Sequence, residues 1–148
     1  MRVLITDCND SMTWYADQIG KTFDFISEES DCIRTKEPAG YVNFVPKNCC
    51  KVIESDDEIE FEITFELLLK KVIIGSSVYR VVAEPEGFYI VVSTNKFGSP
   101  NPLDRKEHAL FLHFTYEEAK NYWSDNKSQI YYWFSDHGHN IPKWLFKQ

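Results

Sequence analysis

The sequence has no apolar run longer than a few residues, so no membrane-spanning helix is expected. Its four cysteines, Cys8, Cys32, Cys49 and Cys50, include no CxxC pair. A four-cysteine zinc module therefore does not fit, and free thiols in a reducing compartment are the expectation. No Gly-rich phosphate loop, HExxH helix or GxSxG elbow occurs, so no motif names a reaction. No low-complexity tract marks a disordered segment. Base is scarce too: 16 Lys and Arg stand against 23 Asp and Glu, a net charge of -7. That excludes a general binder of phosphate backbones and suits a partner with a basic surface. The opening Met-Arg-Val-Leu-Ile-Thr-Asp reads as a strand, with no signal-peptide core after it, so a cytoplasmic chain is expected.

What is present is a globular composition. The 148 residues are 43% apolar, enough for one domain or two small ones. Aromatics reach 16% and gather in the last third. Charge divides the chain. Residues 1–66 hold 15 acids and 6 bases, and residues 67–148 hold 8 acids and 10 bases. At the division lies Glu54-Ser-Asp-Asp-Glu-Ile-Glu-Phe-Glu-Ile-Thr-Phe-Glu66. From Glu58 it alternates acid and apolar, the period of a strand with one wet and one buried face.

Short β-prone runs separated by turns fill the first third: Arg2–Asp7, Thr22–Ile26, Cys32–Thr35, Tyr41–Val45 and Cys49–Ile53. Asn9-Asp10-Ser11, Gly20, Ser27–Asp31, Pro38-Ala-Gly40 and Pro46-Lys-Asn48 lie between them. Five strands in about fifty residues predict a small barrel. The stretch Trp14-Tyr-Ala-Asp-x-Ile-Gly-Lys-Thr-Phe, followed by Gly40-Tyr-Val-Asn-Phe-Val-Pro-Lys-Asn-Cys-Cys-Lys-Val-Ile, resembles small SH3-like barrel modules in short proteins of bacteria and their phages. The resemblance covers residues 1–54. It implies a binding or scaffolding module without a transferable active site, and fold alone does not fix function.

Beyond residue 54 an α+β domain over 55–148 is expected. Thr64 caps a short helix carrying Phe65, Leu68, Leu69 and Val72 on one face, preferred over a continued strand. Val78–Glu84 and Phe88–Ser93, joined through Pro85-Glu-Gly87, form a hairpin. Asn95–Arg105, with Gly98, Pro100 and Pro102, reads as a long loop of the kind that carries function. Ala109–Phe114 is a further strand. Thr115-Tyr-Glu-Glu118 is a capping box. It opens one helix over Tyr116–Asp136, with Ser124–Asp125 as the place for a break and a strand at Ile130–Phe134 as the alternative. Gly138 and Pro142 stop it. The tail Lys143-Trp-Leu-Phe146 docks on the sheet.

Four sets of residues are candidates for function. His108, His113, His137 and His139 lie in the last third. His108 and His113, five apart on a strand, point to opposite faces, and a histidine at a helix end needs no ligand role. No metal site and no cofactor are expected. The cysteines all lie in the first third, so no nucleophile–base pair is visible. Tyr79 with Arg80, Phe97 with Lys96, and Trp144 with Lys143 and Lys147 pair aromatics with bases as a nucleic-acid binder would, although core packing is the plainer reading. The acidic stretch is the most specific. Alternate carboxylates on a strand are about 6.6–6.8 Å apart, so Asp56, Glu58, Glu60 and Glu62 present themselves to a basic protein groove much as phosphates do, with Asp57 a further partner-binding carboxylate. The plainer reading is a solvated strand face. The expectation is a mostly β α+β protein without catalysis that binds a basic, nucleic-acid-handling host protein, as a phage-encoded inhibitor of antiviral defence would. The alternatives are a nucleic-acid or nucleotide binder working through the C-terminal half, or a small enzyme using the C-terminal histidines.

Overall fold

A computed structural model describes residues 1–37, 39–95 and 105–147. The chain divides into two compact units, Met1–Glu60 and Phe61–Gln148. Together they form an α+β, mostly β structure with two antiparallel sheets. Among the described residues no helix is long and apolar enough to cross a membrane.

Unit 1 is a five-stranded sheet of β1 (Arg2–Ile5), β2 (Thr22–Glu28), β3 (Cys32–Lys36), β4 (Val42–Pro46) and β5 (Cys50–Ile53). Its order is β4-β3-β2-β1-β5. The first four strands form a meander. A 3-10 turn, Lys47–Cys49, then returns the chain to β1, where Arg2 pairs with Ile53 and Ile5 with Cys50. Among the described residues β4 and β5 are opposite edges and do not pair, so the sheet stays open. A closed barrel, expected from the strand count, is not formed. Strand β1, inside the sheet between β2 and β5, is apolar at three consecutive positions, and Val3, Leu4 and Ile5 are all completely buried, the pattern of a strand covered on both faces. Gly20 takes φ 97°, a value that favours glycine. There its N–H donates to the Ile5 carbonyl at 2.8 Å and aims the chain into β2.

The expected strand at Glu58–Ile63 does not form. Asp56–Glu58 is a 3-10 turn, and the chain from Ile59 to Thr64 is extended without a sheet partner. Exposure still alternates, with Glu58, Glu60 and Glu62 outward and Ile63 buried, so the period was read correctly and the pairing was not. Three acids in succession at Asp56-Asp-Glu favour a turn whose side chains reach solvent and local backbone.

Unit 2 begins with α1 (Phe65–Lys70), capped by the Thr64 hydroxyl, which accepts from the Leu67 N–H at 3.2 Å. A meander follows: β6 (Val72–Ile74), β7 (Ser77–Glu84), β8 (Gly87–Asn95) and β9 (Arg105–His113). The hairpin turns on Pro85-Glu86, and Gly87 closes it at φ 141°. A Cβ at Gly87 would meet the His113 carbonyl oxygen and the Phe111 ring, each at 2.7 Å. Strand β9 starts earlier than Ala109, at Arg105; the loop expected between Asn95 and Arg105 lies outside the described residues.

In place of one helix over Tyr116–Asp136 there are two, α2 (Tyr116–Asp125) and α3 (Lys127–Asp136). The break is at Asn126, whose side-chain amide donates to the Tyr122 carbonyl at 3.0 Å and competes with helical backbone pairing. The apolar stripe keeps its phase across the break, since Ala119, Trp123, Ile130 and Phe134 are all buried. Ile130–Phe134 is therefore helix, and Leu145 and Phe146 of a final 3-10 turn, Lys143–Phe146, are buried as well. Glu66 of α1 is tied to Lys120 of α2, and that contact holds the Glu66 carboxyl below its usual pKa range.

The Thr115 hydroxyl accepts from the Glu118 N–H at 3.2 Å and donates to the Glu118 carboxylate at 2.7 Å. Thr115→Ala removes both bonds and should lower unfolding stability by about 1 kcal/mol, while Thr115→Ser should keep most of it. Urea titration of the three proteins measures this, and an unchanged midpoint for the alanine variant would refute the cap.

Candidate functional site

The acidic stretch is built unevenly. Asp56 is held inside unit 1: its carboxylate accepts from Arg2 Nε at 3.2 Å and from the Thr22 hydroxyl at 2.8 Å. The same guanidinium pairs with Asp24 and donates to the Thr22 carbonyl at 3.2 Å. Glu58 turns back to accept from the Glu54 N–H at 3.3 Å. Asp57, Glu60 and Glu62 are exposed. The boundary between the units falls after Glu60, so the stretch belongs to both. The even spacing of a strand face, on which imitation of a phosphate row depended, is thus absent over Asp56–Glu58. What remains is a run of carboxylates on an unpaired extended chain.

A second surface of unit 1 escaped the sequence reading. Trp14 stands edge-on to Tyr15 and Phe23, with ring centroids 5.6 and 5.2 Å away, and its indole N–H reaches the Phe44 carbonyl at 3.4 Å. Trp14, Tyr15, Phe44 and Pro46 line an open cleft of about 550 Å³, with Asp31, Cys32 and Asn43 in its wall. Phe44 stays 51% exposed, and the Arg34 guanidinium lies 5.8 Å from its ring centroid. The signal was available: Trp14-Tyr15 lies in the first quoted stretch of the barrel resemblance and Phe44 in the second, but a period-two reading does not show that a turn after β1 meets the middle of β4. The charge of the chain gathers in this unit. Residues 1–60 hold 13 acids and 6 bases, a net of -7, whereas residues 61–148 hold 10 of each.

Cys32 and Cys50 are free thiols that offer no nucleophile. Burial, with Cys49 and Cys32 nearby, pushes the Cys50 thiol up to about 11. Desolvation and Asp31 also raise Cys32. Both therefore stay protonated at neutral pH, and the thiolate is the reactive form.

In unit 2 three of the four histidines meet, which their spacing in sequence did not show. His139 is 3% exposed. Its Nδ1 is 3.0 Å from the Thr94 hydroxyl, which lies 2.8 Å from the Ser77 hydroxyl, and its Nε2 is 2.8 Å from His108 Nδ1. The polar chain thus crosses β7, β8 and β9 and fastens the turn after α3 to them. His137 donates from Nδ1 to the Trp133 carbonyl at 2.6 Å and stacks on the Trp133 ring at 3.9 Å. Its ring centroid is 4.9 Å from that of His108. Gly138, at φ 89°, leaves room for the Lys106 ammonium where a Cβ would stand. His113 is apart from this group, 3.0 Å from Glu118. Among the described residues no set of three or more His, Cys, Asp or Glu side chains is arranged to hold a metal ion. Of the aromatic–basic pairs, Tyr79 is completely buried and so unavailable for stacking. Phe97 and Lys96 lie outside the described residues, and Trp144 lies with Lys143 and Lys147 at one cavity.

No family model matches this chain, and no curated protein and no solved structure matches it significantly.

Burial above all, then the positive potentials of His108, Lys106 and His137, lower the His139 pKa to about 4. The unfolded chain binds this proton near pH 6.5 and the native one does not. Stability from His139 is therefore full above about pH 7, falls as pH drops toward 4, and levels off below that, for a total of about 2–3 kcal/mol. Urea unfolding between pH 7.5 and 4.5 should show this slope, and His139→Gln should flatten it. A wild-type slope matched by the variant would mean that the titrating group is another.

Proposed function

We propose that this chain is a non-catalytic protein-binding protein whose unit 1 captures a partner with a basic, partly apolar surface. The observation that carries this reading is the coincidence, in one 60-residue unit, of the whole net charge of -7 and an open aromatic cleft. Aromatic rings in a cleft supply apolar contact area at low entropic cost, and the net negative charge of the unit, with Asp31 in the cleft wall, steers a cationic partner. Asp57 and Glu60 of unit 1, with Glu62 two residues beyond its boundary in the chain, remain the partner-facing carboxylates, because they are exposed and Asp56 and Glu58 serve unit 1 itself. The SH3-like reading is retained as part of this proposal: a four-strand meander whose fifth strand returns through a 3-10 turn to β1, in the order β4-β3-β2-β1-β5, supports it. The narrower expectation, a phage-encoded inhibitor of a host defence protein that handles nucleic acid, rests on the resemblance and on charge.

Capture from a bacterial lysate with the wild-type chain, with Phe44→Ala and with Asp57→Asn/Glu60→Gln/Glu62→Gln tests the reading. All four altered positions within these variants are exposed or, for Phe44, half-exposed, so stability should move by less than about 0.5 kcal/mol for the carboxylate set. Phe44→Ala should shorten the lifetime of the complex. The triple variant should slow association and weaken its salt dependence, since exposed charges are screened over about 8 Å at physiological ionic strength. A partner retained equally by all three proteins would exclude both surfaces.

A further inference from the structure

The tail of unit 2 does more than pack. Leu145 and Phe146 are buried there, but their neighbours Lys143, Trp144 and Lys147 line a cavity of about 290 Å³ with Ser128, Tyr131 and Tyr132 of α3. Tyr131 is anchored against Phe146, with ring centroids 6.0 Å apart, and Trp144 against Phe61 at 5.8 Å. Tyr132 meets Tyr131 edge-on at 5.3 Å and is 63% exposed. Docking the tail accounts for the buried pair. It does not account for an outward tyrosine beside two ammonium groups.

Among the described residues that line this cavity, charge is of one sign: Lys143 and Lys147, with no Asp or Glu side chain. Lys127 lies 5.5 Å over the Trp123 ring and is not among the described residues that line the cavity. The start of α3 adds to the same sign. Asn126 spends its side chain on the Tyr122 carbonyl and makes no cap, and the first turn, to which Ser128 belongs, contains no acid. Exposed aromatic faces beside exposed cations match a ligand that is planar and aromatic at one end and anionic at the other. The volume is at the small end for ligand pockets, enough for one nucleotide.

We propose that this cavity binds a nucleoside 5'-monophosphate unit, its base stacked on Tyr132 and Trp144 and its phosphate held by Lys143 and Lys147. The chemistry is the same for a free nucleotide and for the 5' end of a single strand. Unit 1 takes no part in it.

Calorimetric titration of the full chain with adenosine 5'-monophosphate, adenosine, inorganic phosphate and a 5'-phosphorylated tetranucleotide tests this. Saturable binding of the monophosphate is expected, tighter than either adenosine or phosphate alone. Tyr132→Ala should weaken it roughly tenfold. Lys143→Gln/Lys147→Gln should weaken it to a similar degree and flatten its salt dependence. Tighter binding of the tetranucleotide would support the proposal and make the ligand a strand end; tighter binding of the monophosphate would support it and make the ligand a free nucleotide. Should the lysine variant fail to fold, quenching of wild-type tryptophan fluorescence by the monophosphate, lost in Trp144→Phe, decides the matter. No saturation into the millimolar range, phosphate binding as tight as the nucleotide, or affinity unchanged in the folded variants would each overturn it.

Discussion

Three consecutive buried residues, Val3, Leu4 and Ile5, impose the constraint on which unit 1 rests. A strand with no wet face needs cover on both sides and neighbours along both edges, because each unpaired backbone group out of water costs as much as a lost hydrogen bond. Strands β2 and β5 supply the edges. Placing β5 there requires the chain to return past β4, and the turn at Lys47–Cys49 does so. The open edges, β4 and β5, then lie at the ends of the sheet. Phe44 and Pro46 are on one of them, and they form the cleft with Trp14 and Tyr15.

The same strand organises the acids. Arg2, its first residue, sends one guanidinium to Asp24, Asp56 and Thr22. A planar fork of donors can satisfy several oxygens together, as a lysine cannot. Single exposed ion pairs contribute little. Here the network matters for shape: it pins the acidic turn to β1 and β2, so Asp56 is spent on folding while Asp57 and Glu60 stay in solvent. A unit with 13 acids and 6 bases carries self-repulsion, and its field attracts cations over a long range.

Unit 2 solves a different problem. Its charges balance, and its polar groups are drawn inward, with Ser77, Thr94, His139 and His108 forming one line of hydrogen bonds across the sheet. A buried imidazole is tolerated because both of its nitrogens have partners. The cost appears as pH sensitivity. The line also fixes the turn after α3, and with it the direction in which the tail leaves toward Tyr131 and Tyr132.

Much of the local structure was written in the sequence. The five strands of unit 1, the Pro85-Glu-Gly87 hairpin and the caps at Thr64 and Thr115 depend on neighbours a few residues away, whose side chains and backbone preferences act over one turn or one pleat. The helical character of Ile130–Phe134 followed from a stripe in phase with α2. What the sequence left open depended on distance in space. The Glu58–Ile63 alternation is real, but a strand needs a partner, and none lies beside it among the described residues. The barrel stayed open because closure requires β4 and β5 to meet, which the lengths of the strands do not decide. Cys49 and Cys50, His108 and His139, Trp14 and Phe44, and Tyr132 and Trp144 acquire their surroundings only when separate elements pack. Periodicity tells a residue which face it occupies; only tertiary packing tells it what it faces.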